Sequence, residues 1–150
     1  MNEEMRIMNI RHSWNEYLNE ITGLYHNVSM KLNISDSECM IMYMLYDEPK
    51  PITQSDIVRT TGLSKQTVNS AIRKLEKGGI ITLEKLNEKS KILVVTEIGK
   101  KVIAEKIMPI IEMENRVFDS WTKEEASLFL ELTKKYKNMF EEEVLCFGKK

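Results

Sequence analysis

The chain has 150 residues, 42% of them hydrophobic and 30% charged, the composition of an ordinary folded domain rather than a disordered one. A chain of this length buries roughly two-thirds of its unfolded surface, so it needs neither disulfides nor a metal to fold. The formal net charge of −1 conceals a segregation: residues 1–50 carry 4 Lys/Arg and 8 Asp/Glu, residues 51–101 carry 10 and 5, and residues 102–150 carry 8 and 10. A basic middle between acidic flanks points to a polyanionic partner for the middle. The longest apolar run, residues 39–46, is far short of the ~20 residues that span a bilayer, so no membrane partner is expected. The opening Met1-Asn2-Glu3-Glu4 is acidic and lacks an apolar core, so no signal peptide is expected. The two cysteines, Cys39 and Cys146, are too few and too far apart for a disulfide framework or a metal cluster, and a reducing cytoplasm is the expected home.

Ile7, Ile10, Trp14, Tyr17, Leu18, Ile21, Tyr25, Val28 and Leu32 follow a three-and-four spacing that predicts one long amphipathic helix over 7–32, with His12 and His26 on its polar face. Ser35-Asp-Ser-Glu38 is a capping box for a second helix, to about residue 47. Cys39, Met40, Ile41, Met42, Met44 and Leu45 make it apolar nearly all round, so it is expected to be buried, and Pro49 and Pro51 end it. Thr53 caps a short helix, Gly62 makes a turn, and Ser64 caps another helix over 65–77, stopped by Gly78-Gly79. This pair is a helix-turn-helix. Residues 80–86 and 91–95, joined by Asn87-Glu88-Lys89-Ser90, predict a β-hairpin wing. Thr96 restarts a helix that runs to about residue 120 with a kink expected at Pro109. Thr122-Lys-Glu-Glu125 is a capping box for a last helix, which carries Ala126, Phe129, Leu130, Thr133, Tyr136 and Phe140 on one face. The expected fold is therefore mainly α, a winged helix-turn-helix in one domain over 1–150. Its winged-helix lobe spans about 35–98, with flanking helices at about 7–32 and 97–147.

Helix 65–77 carries the chemistry. Val68, Ile72 and Leu75 form its apolar stripe; Gln66, Ser70, Arg73 and Lys77 lie opposite, flanked by Thr67 and Lys74. This face offers amide, hydroxyl, guanidinium and ammonium groups, and the helix's only acid, Glu76, lies near the apolar edge. Arg reads a guanine edge with two donors, Gln reads adenine, and lysines meet phosphates. A merely solvated face would mix Glu with Lys at i,i+4 spacing. Ser64 and Lys65 open the same helix, and Lys85, Asn87, Lys89 and Lys91 of the hairpin are placed to follow phosphates or enter a minor groove.

The runs Thr53-Gln-Ser-Asp-Ile-Val, Gly62-Leu-Ser-Lys-Gln-Thr-Val, Ile72-Arg-Lys-Leu-Glu-Lys-Gly-Gly-Ile80 and Val95-Thr-Glu-Ile-Gly99 resemble the MarR family of bacterial and archaeal transcription regulators. The resemblance covers the element order from about Ile7 to Phe147. It implies a homodimeric repressor on double-stranded DNA with an inverted repeat, each subunit placing its second helix in the major groove and its wing in the minor groove. It implies dimerisation through the N- and C-terminal helices. In many members a small, often phenolic, ligand releases the DNA. One departure lies in the wing, where the family commonly has an Asp followed two residues later by an Arg. This chain has Asn87 and Lys89, and an ammonium is more strongly hydrated than a guanidinium.

The remaining features carry less. Cys39 on its apolar helix reads as a small buried hydrophobe, and Cys146 as an incidental thiol. His12 and His26 are too far apart to share one metal ion, and Met40, Met42, Met44 and Tyr43 read mostly as core packing, with an adaptable ligand pocket as the alternative. The sequence has no phosphate-cradling Gly-rich loop, HExxH, nucleophile elbow or CxxC. No enzyme, cofactor or metal site is expected. The rival readings are a winged-helix module that docks on protein and a thiol-based redox regulator. A protein-docking module would place apolar groups on the outer face of helix 65–77, where this chain has polar and basic ones.

Overall fold

The structure, a computed structural model, describes residues 3–48, 50–88 and 90–148. The element order is α1 (Glu3–Lys31), α2 (Asp36–Asp47), β1 (Ile52–Thr53), α3 (Gln54–Thr61), α4 (Lys65–Lys77), β2 (Ile81–Asn87), β3 (Ser90–Val95), α5 (Glu97–Asp119) and α6 (Lys123–Cys146). The chain forms two compact units that divide between Ile110 and Ile111. The division falls just after Pro109, which lies inside α5 without ending it.

The helices begin where their caps dictate. Ser35 accepts from Glu38 N at 3.3 Å while the Glu38 carboxylate accepts from Ser35 N at 3.2 Å. The same reciprocal box opens α3 with Thr53 and Asp56 and α6 with Thr122 and Glu125. Each satisfies donors that a first helical turn cannot pair internally. At the other end of α4, Gly79 adopts φ 68°. Its N–H donates to Glu76 O and Ile80 N–H donates to Leu75 O, each at 2.9 Å. This is a Schellman stop, and glycine enters the left-handed region without steric cost.

The unit up to Ile110 buries residues of α2, α3, α4 and α5 and carries a three-stranded antiparallel sheet of order β1-β3-β2. Ile52 pairs with Leu93, Leu83 with Leu93 from the other side, and Ile81 with Val95. The expected hairpin is present, with a shorter turn, since the ladder continues to Asn87↔Ser90. The third strand is additional. It has only two residues and runs directly into the Thr53 cap, too short for any alternation to reveal it. Ile41, Ile57, Val68, Leu75, Ile81 and Ile107 are fully buried, and each contributes roughly 1.5–3 kcal/mol relative to exposure. α2 is not buried all round, as its composition suggests. Cys39, Ile41 and Met42 are in the core, Met40 is 39% exposed, and Tyr43, Met44 and Leu45 are half-buried. Pro49, given above as part of the α2 stop, lies outside the described residues.

α1 begins four residues earlier than the spacing suggests. Its apolar stripe stays exposed at Ile7, Ile10, Tyr17, Leu18, Ile21 and Tyr25. In the unit from Ile111, Trp121 stands edge-on to Phe118 and Phe129, with centroids 5.2 and 5.1 Å away. α6 buries none of its residues, and Phe129, Leu132, Tyr136, Met139 and Phe140 are exposed.

The start of α5 abuts the end of α4. Thr96 Oγ1 donates to Gly79 O at 2.5 Å and Thr96 N to Ile80 O at 3.0 Å. A Cβ at Gly99 would lie 1.9 Å from Ile80 O and 3.0 Å from Val95 Cγ1. Gly99→Ala is therefore expected to destabilise the fold by roughly 1–3 kcal/mol or more, because backbone must move to admit the methyl. Gly23→Ala, inside α1 with nothing within 4 Å of the new Cβ, is expected to stabilise by up to ~1 kcal/mol through helix propensity. Urea unfolding of both variants checks the pair, and equal midpoints would refute the close approach.

Candidate nucleic-acid interface

α4 is the centre of the site. Its apolar side, Val68, Ala71, Ile72 and Leu75, is buried, which fixes the opposite side outward at 100° per residue. Gln66, Ser70, Arg73 and Lys77 are all exposed on that outer side. With Asn69 and Lys74 they line a shallow groove along the helix.

The two flanks of α4 differ. On one, Ser35 and Ser37 at the start of α2 share a hollow with Gln66, Thr67, Ser70 and Lys74. Lys74 Nζ lies 3.6 Å from the Glu38 carboxylate, a group only 18% exposed. The acid that completes the α2 capping box thus also holds a cation of α4. Ser64 and Thr67 are committed to each other: their hydroxyls are 2.8 Å apart, and Ser64 Oγ accepts from Thr67 N at 3.0 Å. Both are first of all helix-capping groups.

On the other flank a cleft of about 670 Å³ opens between α3, α4 and the sheet. Val58, Ile72, Leu83 and Leu93 line it with apolar surface, and Arg59, Lys65, Arg73 and Lys91 supply four cations against one acid, Glu76. Glu76 is exposed and faces this cleft. Lys85 and Lys91 are direct cross-strand partners, on the sheet face that carries Leu83 and Leu93 two residues nearer the base. Like charges opposed in this way repel each other and gain from an anion between them. Neither Lys85 nor Asn87, on the partner strand, lines the cleft. Lys89 lies outside the described residues.

Arg59 is the cation the sequence reading overlooked. Its Nη2 donates to Asp56 Oδ1 at 2.9 Å, while Asp56 Oδ2 accepts from Thr53 Oγ1 at 2.7 Å and Thr53 N at 3.0 Å. The signal was present as the i,i+3 spacing of Asp56 and Arg59. Asn69 was also passed over, although it lies one turn from both Gln66 and Arg73. A further unforeseen pair is His26 Nδ1 with Asp36 Oδ2, 2.8 Å apart, joining α1 to the first turn of α2. Cys39 is buried and Cys146 exposed. Among the described residues no group of three or more His, Cys, Asp or Glu side chains could hold a metal. No described helix is long and apolar enough to cross a membrane.

Residues 32–89 match the profile of the MarR family, a segment that holds all of α2, α3 and α4. The uncharacterized HTH-type transcriptional regulator YcgE of Bacillus subtilis (strain 168) is 28% identical over 102 residues, 67% of this chain and 66% of that protein. The match thus spans just under two thirds of the relative's length. NMB1585, a MarR family regulator from Neisseria meningitidis, superposes with a TM-score of 0.76 at 19% identity, covering 96% of this chain and 97% of its own. Over residues 32–89 the chain is similar to the MarR family, and its fold is that of MarR family regulators. S. aureus MepR, in its DNA complex, superposes with a TM-score of 0.65 at 18% identity over 85% of this chain and 96% of its own. At these identities the structural likeness speaks to the MarR fold alone. The outward groups of α4 lie inside the family segment, whereas Lys91, on the second wing strand, lies just beyond it.

Asp56, in the cap of α3, makes stability depend on pH in the acid range. The hydrogen bonds from Thr53 and then Arg59 lower its pKa from the ordinary 3.8 to about 2. A folded-state pKa below the unfolded one means that the unfolded chain takes up the proton first. The stabilisation is fully present above about pH 4 and is lost as pH falls towards 2. Asp56→Asn is expected to flatten this part of the stability–pH curve and leave the curve above pH 5 parallel to that of the parent. Thermal melts between pH 2.5 and 7 check it, and an unchanged acid limb would refute the assignment to Asp56.

Proposed function

We propose that this protein is a sequence-specific DNA-binding transcription regulator that acts as a homodimer and represses until a small, phenolic-type ligand releases it. The observation that carries the DNA-binding part is the outer side of α4. An amide, a hydroxyl, a guanidinium and an ammonium face outward together there, with cations on both flanks. The match of residues 32–89 to the MarR family supports the regulatory reading, and the structural neighbour MepR is described in complex with DNA.

α4 enters the major groove. Arg73 gives two donors to guanine O6 and N7, and Gln66 pairs with adenine N6 and N7. Lys77 and Lys74 meet phosphates, as do Lys65 and Lys91 on the cleft side and Lys85 along the wing. Ser64 and Thr67 hold the first turn of α4 against the backbone, and Asn87 and Lys89 complete the wing. Phosphate contacts set position and base contacts set sequence. The second copy supplies the two-fold axis, which requires an inverted repeat with half-sites one helical turn, or a multiple of it, apart. The exposed apolar stripes of α1 and α6 support the dimer, since contiguous apolar surface of this extent marks an interaction site. A repressor of this kind acts by occupying the promoter. The ligand shifts the dimer to a state whose two α4 helices no longer fit the half-site spacing.

Two measurements test this reading. Light scattering is expected to give about twice the 17.6 kDa chain mass at micromolar concentration; a monodisperse monomer would rule out the dimer. Duplex selection followed by binding across a salt series separates the roles of the side chains. Arg73→Ala is expected to cost ~1–3 kcal/mol on the selected duplex and to relax one base position per half-site. Lys91→Ala is expected to weaken selected and random duplexes by similar factors and to lower the salt slope by about one. If the parent protein binds no duplex with a negative salt slope, the DNA reading fails as a whole.

A further inference from the structure

We propose that Asn69 is a base-reading residue of α4, directed at an adenine. The inference rests on the reading of α4 as a major-groove helix and extends it to a side chain that neither the family resemblance nor charge singles out.

Three observations carry it. Asn69 and Arg73 are the two described residues that line both the outer groove of α4 and the cleft towards the wing, so Asn69 stands where these two concave surfaces meet. It belongs to the first half of Lys65–Lys77, and a recognition helix presents its N-terminal residues to base edges. Its side chain is half-buried, which restricts its rotamers before any ligand arrives, yet its carboxamide has no hydrogen-bond partner among the described residues. The contrast with its neighbours is chemical. Ser64 and Thr67 bond each other, and Lys74 is held by Glu38. A neutral amide among four cations adds little attraction for phosphate. It does offer a donor and an acceptor side by side, the pair that matches adenine N7 and N6–H.

The placement also fixes a distance. Asn69 and Arg73 are four residues apart, which is about 6 Å along the helix, or within two base-pair steps of about 3.4 Å. The adenine read by Asn69 is therefore expected within two base pairs of the position read by Arg73.

The test is selection of bound duplexes from a random pool by the full-length parent, Asn69→Ala, Asn69→Asp and Arg73→Ala proteins, followed by titration of each selected and random duplex. Asn69→Ala is expected to lose an A·T preference at one position per half-site, within two base pairs of the position relaxed by Arg73→Ala. Its affinity for the parent's duplex is expected to fall roughly 5- to 150-fold, the range of one two-bond base contact, with random-duplex affinity and salt slope unchanged. Asn69→Asp keeps an acceptor and loses the donors, so its preference at that position is expected to move to cytosine, whose N4–H₂ donates. Alanine is the better helix former, and unaltered melting of the alanine variant separates reading from folding. If Asn69→Ala selects the parent's sequence with the parent's preference, or weakens both duplexes by the same factor, Asn69 does not read a base. If the parent itself enriches no sequence, the DNA reading of α4 has failed first, and the inference falls with it.

Discussion

The corner at the end of α4 is the constraint on which the remaining geometry depends. Gly79 turns the chain in the left-handed region, and Ile80 caps α4 from beyond the turn. The Gly79 and Ile80 carbonyls then accept from Thr96. Gly99 lets α5 start against the Ile80 carbonyl, where no side chain fits. Thr96 itself caps α5, since its Oγ1 accepts from Gly99 N at 2.9 Å. One hydroxyl thus joins the last turn of one helix to the first turn of another, with both strands of the wing leaving from the same point. The junction of α4, the wing and α5 is thus held by backbone groups and the Thr96 hydroxyl, apart from the exposed side chains of α4.

The charged groups around α4 differ in freedom more than in sign. Lys74 is tied to Glu38 and Arg59 to Asp56, in each case by an acid that also completes a helix cap. Exposed pairs of this kind contribute little stability, ~0–1 kcal/mol. Their effect is to hold a cation in one place, which lowers the ordering cost of a later contact. Lys85 and Lys91 are the reverse case, two cations opposed across the hairpin and relieved only by an anion. The held cations sit on α3 and α4 and the opposed ones on the wing. In the proposed complex the helices are thereby suited to orientation and the wing to general attraction.

How much of this was legible depends on sequence distance. Caps are local: Ser35, Thr53, Ser64 and Thr122 each declare a helix start within four residues, and all four helices begin there. The outward side of α4 follows from its own periodicity, which is why Gln66, Ser70, Arg73 and Lys77 were identifiable and are exposed. What was missed is non-local. β1 exists because Ile52 and Thr53 meet Leu93 and Ile92 some forty residues on. Glu38 meets Lys74, and His26 meets Asp36, across element boundaries. The half-exposed state of α2 depends on how many elements surround it, which its own composition does not encode. Asn69 was passed over for another reason: its importance arises where the α4 groove meets the wing cleft, and the second surface is assembled from α3 and the sheet.

The apolar surface of α1 and α6 bears on the DNA geometry as well as on association. A helix that buries none of its residues, as in α6, gains little of the tertiary packing that stabilises most protein helices. In the proposed homodimer the second copy supplies that packing, so folding of the C-terminal unit and association are coupled, and protomer concentration enters the stability. The same coupling ties the spacing of the two α4 helices to contacts remote from them. α1 is joined to α2 by His26 and Asp36, and α2 to α4 by Glu38 and Lys74. In the proposed dimer a displacement of α1 then reaches α4 through the His26–Asp36 contact, the α2 capping box and the Glu38–Lys74 pair. In the proposed function, that route gives the releasing ligand a physical means of changing the fit to the DNA without touching a base-reading residue. It operates only to the extent that the ligand binds the two arrangements with different affinity.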